Sequence, residues 1–317
     1  IESAADADEL GLLTAAGSLG YRMALFCTEA AILILALKVG WASAYGVFAA
    51  AMAVGVAATL LAREPARADA ALADLSSSEQ AHPLRAAWDA VAGPFVAFFL
   101  RHGLAAGALM LAMITLYHLC DYMRGPMVNP YYAALGIPKT TIAAVRAAIS
   151  LPASLAGIAL GGLVSARIGV LRTLVLGALL QPFAVAAFAV LGWHGGDFDL
   201  GAMGPLHITA FEAVMAFDSV AMSLSGVALV AYMSSLTSLG YTATQFALLT
   251  SAMVWSGKTL KAFSGVIVEA LQPGRSLLDA YALFYLLSGA VGLPAIVVCM
   301  VLAARQARAA RLTPVPA

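Results

Sequence analysis

The chain has 317 residues, 62% of them hydrophobic and only 11% charged, and its 17 basic and 17 acidic side chains give a formal net charge of +0. Soluble domains carry about 25% charged residues, so the composition excludes an ordinary water-soluble protein and marks an integral membrane protein. Charge neutrality also argues against nucleic acid as a partner.

Stretches long enough to cross a hydrocarbon core, roughly twenty residues each, are expected near 12–37, 41–62, 104–132, 140–166, 171–193, 207–236, 243–271 and 278–304. The chain begins at Ile1 and an acidic start, Glu2 to Glu9, with no basic, cleavable signal sequence before the first apolar run. A fragment of a longer protein is therefore expected. Arg22 and Glu29 lie seven apart on one face of the first span. Residues 63–103 alone have soluble composition, with Arg63, Glu64, Arg67, Asp69, Asp74 and Ser76-Ser77-Ser78-Glu79. They read as a flexible linker followed by an amphipathic, interfacial helix around 84–100. The expected organisation is two helices over 1–62, the linker over 63–103, and six helices over 104–317.

The third span is the most informative. The apolar run from Leu104 continues into Tyr117-His118-Leu119-Cys120-Asp121-Tyr122-Met123-Arg124-Gly125-Pro126 and on through Asn129-Pro130. A carboxylate or guanidinium near the bilayer centre costs roughly 2.5–3.5 kcal/mol on insertion scales. His118, Asp121 and Arg124, three residues apart, stack on one helix face. Pro126 and Pro130 each remove a backbone donor and invite a kink. A polar stripe followed by a break suits a helix lining a water-filled path. The plainer alternative is a buried Asp121–Arg124 ion pair that only locks two helices together.

In the fourth span Ala153, Gly157, Gly161 and Ser165 recur every fourth residue, a small-residue seam that lets backbones approach. Pro152, Pro182 and Pro294 supply further kinks. Lys258 and Lys261 share a face of the seventh span, where their repulsion demands an anionic partner. With Arg22, Arg124, Arg146, Glu29, Asp121, Glu212, Asp218 and Glu269, they are ionisable groups inside expected spans, so they must face one another or water. His194, Asp197, Asp199 and His207 cluster around the loop 194–206, but Gly195-Gly196 and Gly201 favour a solvated turn over a metal site. No metal and no cofactor are expected. Cys27, Cys120 and Cys299 sit in apolar stretches and read as small core residues.

Basic residues give the orientation. Arg63, Arg67, Arg85, Arg101, Arg167, Arg172, Arg305, Arg308 and Arg311 fall on the linker side, against Lys38, Lys139 and Arg275 on the other. The positive-inside rule makes the linker side, with the C-terminus, cytoplasmic.

Several of these stretches carry a family resemblance. Gly162-Leu163-Val164-Ser165-Ala166-Arg167-Ile168-Gly169-Val170-Leu171-Arg172 resembles the short cytoplasmic signature loop of the major facilitator superfamily, with Ala166 where the family usually has an acid. Thr242-Ala243-Thr244-Gln245-Phe246-Ala247-Leu248-Leu249 is similar to the opening of the eleventh helix in the AmpG-like muropeptide permeases. Leu19-Gly20-Tyr21-Arg22 resembles their fifth helix, and Gly40-Trp41 and Arg63-Glu64-Pro65 flank the sixth. His118-Leu119-Cys120-Asp121 resembles the seventh, and Phe217-Asp218 stands in the tenth where relatives often have glutamate.

The resemblance implies an all-α polytopic bundle of twelve spans in two six-helix halves. About eight of those spans are expected here: the last two of the first half and all of the second. It further implies a secondary transporter of the bacterial inner membrane, monomeric when full length and not an enzyme. Its cargo would be anhydro-muropeptides, imported with protons by alternating access through the lipid bilayer. A carboxylate where charge is disfavoured can load and release a proton, so Asp121, then Asp218 and Glu29, are the expected coupling or gating acids. Arg22, His118, Arg124, Lys258 and Lys261 are expected to bind substrate or pair with those acids. Gly162, Arg167, Gly169, Arg172, Tyr241, Thr244 and Gln245 are expected at the cytoplasmic gate. The alternatives are a related carrier of acetyl-coenzyme A, a siderophore or a drug, and a polytopic membrane enzyme. An enzyme would want a nucleophile–base pair or paired acids on its loops, and these loops are nearly bare of both.

Overall fold

The structure, a computed structural model, describes residues 14–21, 23–24, 35, 38–61, 93, 96–195, 199–203, 206–237 and 242–312. Helix α1 spans Trp41–Leu61. The polypeptide then crosses from Leu104 to Ala134 as a single span built of α2 (Leu104–Tyr117), α3 (Leu119–Arg124), a 3₁₀ turn over Gly125–Met127 and α4 (Val128–Ala134). The first break falls at His118, with φ −104° and ψ 14°. Continuity survives because the N–H groups of Asp121 and Tyr122 both reach the His118 carbonyl at 3.1 Å. The second break surrounds Pro126, which has no N–H to donate.

Lys139–Ile168 forms the next span: α5 (Lys139–Val145), a π turn over Arg146–Ser150, and α6 (Leu151–Ile168). The π turn has a cause in the sequence. Pro152 cannot donate to the carbonyl four residues back, and its ring crowds that turn. A widened turn just ahead of it relieves the conflict, and the Leu151 N–H bonds to the Arg146 carbonyl, five residues back.

Helix α7 (Val170–His194) follows after Gly169, whose φ of 88° lets α6 and α7 meet in a one-residue corner. It packs against α6, against α8 (Ala210–Leu236), against α11 (Leu277–Val291) and against α12 (Leu293–Leu312). Helices α9 (Thr242–Ala262) and α10 (Ser264–Leu271) complete the bundle, with α9 against α2 and α3.

The small-residue seam closes α6 onto α8. A Cβ on Gly157 would stand 2.6 Å from the Val220 carbonyl oxygen and 3.0 Å from Ser223 Cβ; one on Gly161 would stand 3.2 Å from Leu224 Cα. Backbone cannot yield as a side-chain tip can. Gly157→Leu is therefore expected to destabilise the full-length protein by about 1–3 kcal/mol, the usual scale of overpacking. The readout is its melting temperature in detergent; an unchanged value would mean this contact is not closed.

Two departures from the sequence expectations stand out. The outer loop is not a bare solvated turn: β1 (Asp199–Met203) and β2 (Leu206–Thr209) pair antiparallel, with Ala202 opposite His207. The sixth span therefore starts at Ala210 rather than near 207. Thr209 sets that start through a capping box, its hydroxyl accepting from the Glu212 N–H at 3.3 Å and its N–H donating to Glu212 Oε2 at 2.9 Å. Glu212 is thus a helix cap.

Among the described residues six helices are long and apolar enough to cross a membrane: Trp41–Leu61, Leu104–Ala134, Lys139–Ile168, Val170–His194, Ala210–Leu236 and Leu277–Gln306. The expected span 243–271 is helical but interrupted at Phe263 and is not among the six. Its hydroxyl, amide and lysine side chains lower its hydropathy. Most of the expected span 12–37 and of the interfacial helix 84–100 lie outside the described residues.

Candidate functional site

Two apolar clusters fill the bundle, one on either side of a polar layer. One gathers Tyr131, Tyr132, Val185, Phe188, Met215 and Tyr285; the other gathers Ile114, Tyr117, Leu174, Ala178, Ala228 and Leu229. On α7 the residue between them is Gln181, on α8 it is Asp218, and on the broken third span it is the His118–Asp121–Arg124 stripe. The break at His118 thus carries the stripe to the junction of two greasy volumes.

There the side chains join. Arg124, only 7% exposed, donates from Nε to Asp121 Oδ1 at 3.1 Å, and its Nη2 lies 2.8 Å from Asp218 Oδ1. Its guanidinium lies 5.3 Å from the centre of the Phe188 ring, a cation–π distance. Ser264 on α10 donates to the Met123 carbonyl at 2.6 Å, tying the broken helix to a second one. Two carboxylates around one guanidinium leave these three side chains with one formal negative charge.

His118 extends the network. Its Nδ1 lies 3.1 Å from Asp121 Oδ2 and 2.6 Å from the Gln181 amide nitrogen. With a hydrogen on Nδ1 the ring donates to the Asp121 carboxylate; without one, the single lone pair of Nδ1 accepts from the Gln181 amide. A half-turn of the amide, whose oxygen has no partner here, matches Gln181 to each state.

The surface around the stripe is unlike a lipid-facing surface. Among the described residues no large apolar side chain is exposed between Leu104 and Leu160, whereas α7 exposes Leu179, Phe183, Val190 and Trp193. The outward residues of α5 and its π turn are Thr140, Thr141, Ala143, Ala144, Arg146, Ala147 and Ala148. Bilayer contact selects bulky apolar side chains, so this small, polar face is built to meet water or protein.

Of the residues singled out from sequence, His118, Asp121, Arg124 and Asp218 meet in one network. Lys258 and Lys261 do not join it; both are exposed on α9. Gly162 is buried within α6, Gly169 forms the corner after it, and Arg167 and Arg172 are exposed on either side. Thr244 is exposed and Gln245 buried near the start of α9. Arg22, Glu29 and Tyr241 lie outside the described residues. Sequence reasoning passed over Gln181, although a lone amide in an apolar span beside Pro182 was its signal. Among the described residues no group of His, Cys, Asp and Glu could hold a metal ion, and Cys120 and Cys299 are buried, free thiols.

Apolar spans around a buried, charge-bearing layer define a multi-pass membrane protein. Comparison with known proteins narrows this. No protein-family model matches the chain. It is 28% identical over 302 residues to the transporter AmpG 4 of Rickettsia conorii, covering 94% of this chain and 66% of that protein. It is 26% identical over 297 residues to the anhydromuropeptide permease of Escherichia coli, covering 93% and 54%. An uncharacterized protein of Haemophilus influenzae is 28% identical over 264 residues. The chain spans between half and two thirds of the length of these relatives. The chain is thus similar to AmpG-type transporters and permeases, and each of its candidate membrane spans among the described residues is helical. The Rickettsia and Escherichia relatives are named as a transporter and a permease, not as enzymes.

Proposed function

We propose that the protein containing this chain imports anhydro-muropeptides across the bacterial inner membrane together with protons. Similarity to the Escherichia coli anhydromuropeptide permease across 93% of the chain carries this reading. The two halves of the whole protein rock about the midplane, exposing a central site to each side in turn. Asp121 and His118 share the coupling proton, while Asp218 and Arg124 balance its charge. The corner at Arg167, Gly169 and Arg172 and the start of α9 at Thr244 and Gln245 form the cytoplasmic gate, with the C-terminus on the same side. Lys258 and Lys261, exposed on a polar helix, suit an anionic cargo, and that observation also favours a second reading, a carrier of a polyanion such as acetyl-coenzyme A.

The test is uptake of labelled anhydro-muropeptide by cells lacking their own permease and expressing the full-length reading frame. Uptake abolished by collapsing the proton gradient, with no competition from acetyl-coenzyme A, is the expected result. No uptake by correctly inserted protein would sink the cargo assignment.

A further inference from the structure

Arg146 is used by nothing so far. It lies about 10 Å along the helix axis from Lys139, at 1.5 Å per residue, on the end of the bundle that carries the β-hairpin. Its side chain is exposed at that depth, and Nη2 donates to Asn129 Oδ1 on α4 at 3.1 Å. A guanidinium has five N–H donors, so this bond orients the fork and leaves an edge of it open.

Arg146 is itself exposed, so this edge faces away from the core of the bundle, and the surface around it is unlike one built for lipid. The flanking exposed residues are alanines and threonines, and the whole stretch between Leu104 and Leu160 exposes no large apolar side chain among the described residues. The π turn begins at Arg146 itself, so the widest point of the backbone lies beneath the charge. That turn also leaves the Ser150 hydroxyl buried without a hydrogen-bond partner, a local cost of the kind that folds retain where something besides stability is served. Asn129, which holds Arg146, shares the short helix α4 with Tyr132, whose ring lies beside Phe188, the ring under the Arg124 guanidinium.

We infer that Arg146, held by Asn129, is a carboxylate-binding site on the path-facing surface, met by the cargo before it reaches the buried network. The inference rests on the transport reading above and adds the ligand's chemical class: a planar carboxylate on an anionic solute. The fork of an arginine matches a carboxylate edge to edge, with two parallel N–H···O bonds. The buried Arg124 already donates to two acids. Asn129 keeps the Arg146 side chain from extending toward the membrane surface, where a purely snorkelling arginine would go.

Two measurements on the full-length protein decide the matter. The first compares uptake of labelled anhydro-muropeptide with uptake of the same compound bearing amidated peptide carboxylates. Arg146→Gln is expected to raise the half-saturating concentration of the acid form about tenfold, the scale of one lost charge-assisted hydrogen bond. The amide form should be unaffected, and Arg146→Lys should fall between. The second measurement uses the thiol introduced by Arg146→Cys in a background without other cysteines. A membrane-impermeant maleimide added outside should label it, and acid-form cargo should slow the labelling. Normal uptake with an unshifted half-saturating concentration in Arg146→Gln, or a thiol that never reacts, overturns this site alone. Absence of uptake of either compound by the unaltered protein, with labelling that neither compound slows, overturns the transport reading and this site together.

Discussion

Arg124→Gln should destabilise the protein by about 3–5 kcal/mol, the usual consequence of removing one partner from a buried ionic group. The guanidinium serves two acids on two different helices, 3.1 Å from Asp121 and 2.8 Å from Asp218. Replacing it with a neutral amide takes the three-residue cluster from one net negative charge to two, with both carboxylates still held between apolar clusters. It also removes the cation from beside the Phe188 ring. The measurement is the yield and melting temperature of monodisperse full-length protein in detergent. A purely steric role for Arg124 would make the loss insensitive to the acids. The triple change Arg124→Gln, Asp121→Asn and Asp218→Asn separates the cases: it should recover most of the stability, because no unpaired charge is left. Failure of that rescue would refute the electrostatic account.

Asp121→Asn should behave in the opposite way. It takes the same cluster from one negative charge to none, so the protein is expected to fold and insert with little loss. What it removes is the carboxylate that lies 3.1 Å from His118 Nδ1. On the proposed coupling, accumulation of cargo against a gradient falls to background, while exchange of labelled for unlabelled cargo across the membrane persists, since exchange needs no net proton movement. Undiminished accumulation by Asp121→Asn would exclude Asp121 as the coupling acid. The two substitutions sit three residues apart on one helix face, yet their effects are opposite in kind. The difference lies only in the sign of the charge removed.

Much of this was legible before any coordinates. The three-residue spacing of His118, Asp121 and Arg124 put them on one face, the cost of charge in lipid required that they meet partners, and the run Ala153, Gly157, Gly161, Ser165 announced a close helix contact. The partner helices were not legible, because spacing within one helix carries no information on which neighbour it faces. Asp218 and Arg124 are 94 residues apart in sequence, and only the packing of α8 beside the broken third span joins them. Gln181 escaped notice because an uncharged amide costs an apolar span far less than a charge and so raises no alarm. Lys258 and Lys261 were expected to have anionic partners, but they lie exposed on α9. The hairpin at Asp199–Thr209 was hidden by its glycines, which signal a turn equally well whether or not strands flank it.

The π turn at Arg146–Ser150 has a geometric consequence. An α-helix advances by about 100° per residue, and a π turn holds one residue more than the α turn it replaces. Glycines 157 and 161 are pinned against the backbone of α8, which fixes the azimuth of everything that follows the turn. The bearing of Arg146 about the helix axis is therefore offset by about 100° from the one it would have on an unbroken helix. Were the turn to tighten while the seam held, the guanidinium would swing through that angle and leave Asn129 behind. The compass heading of one side chain is thus written in a five-residue turn of backbone that ends three residues ahead of Ala153, the first small residue of the seam.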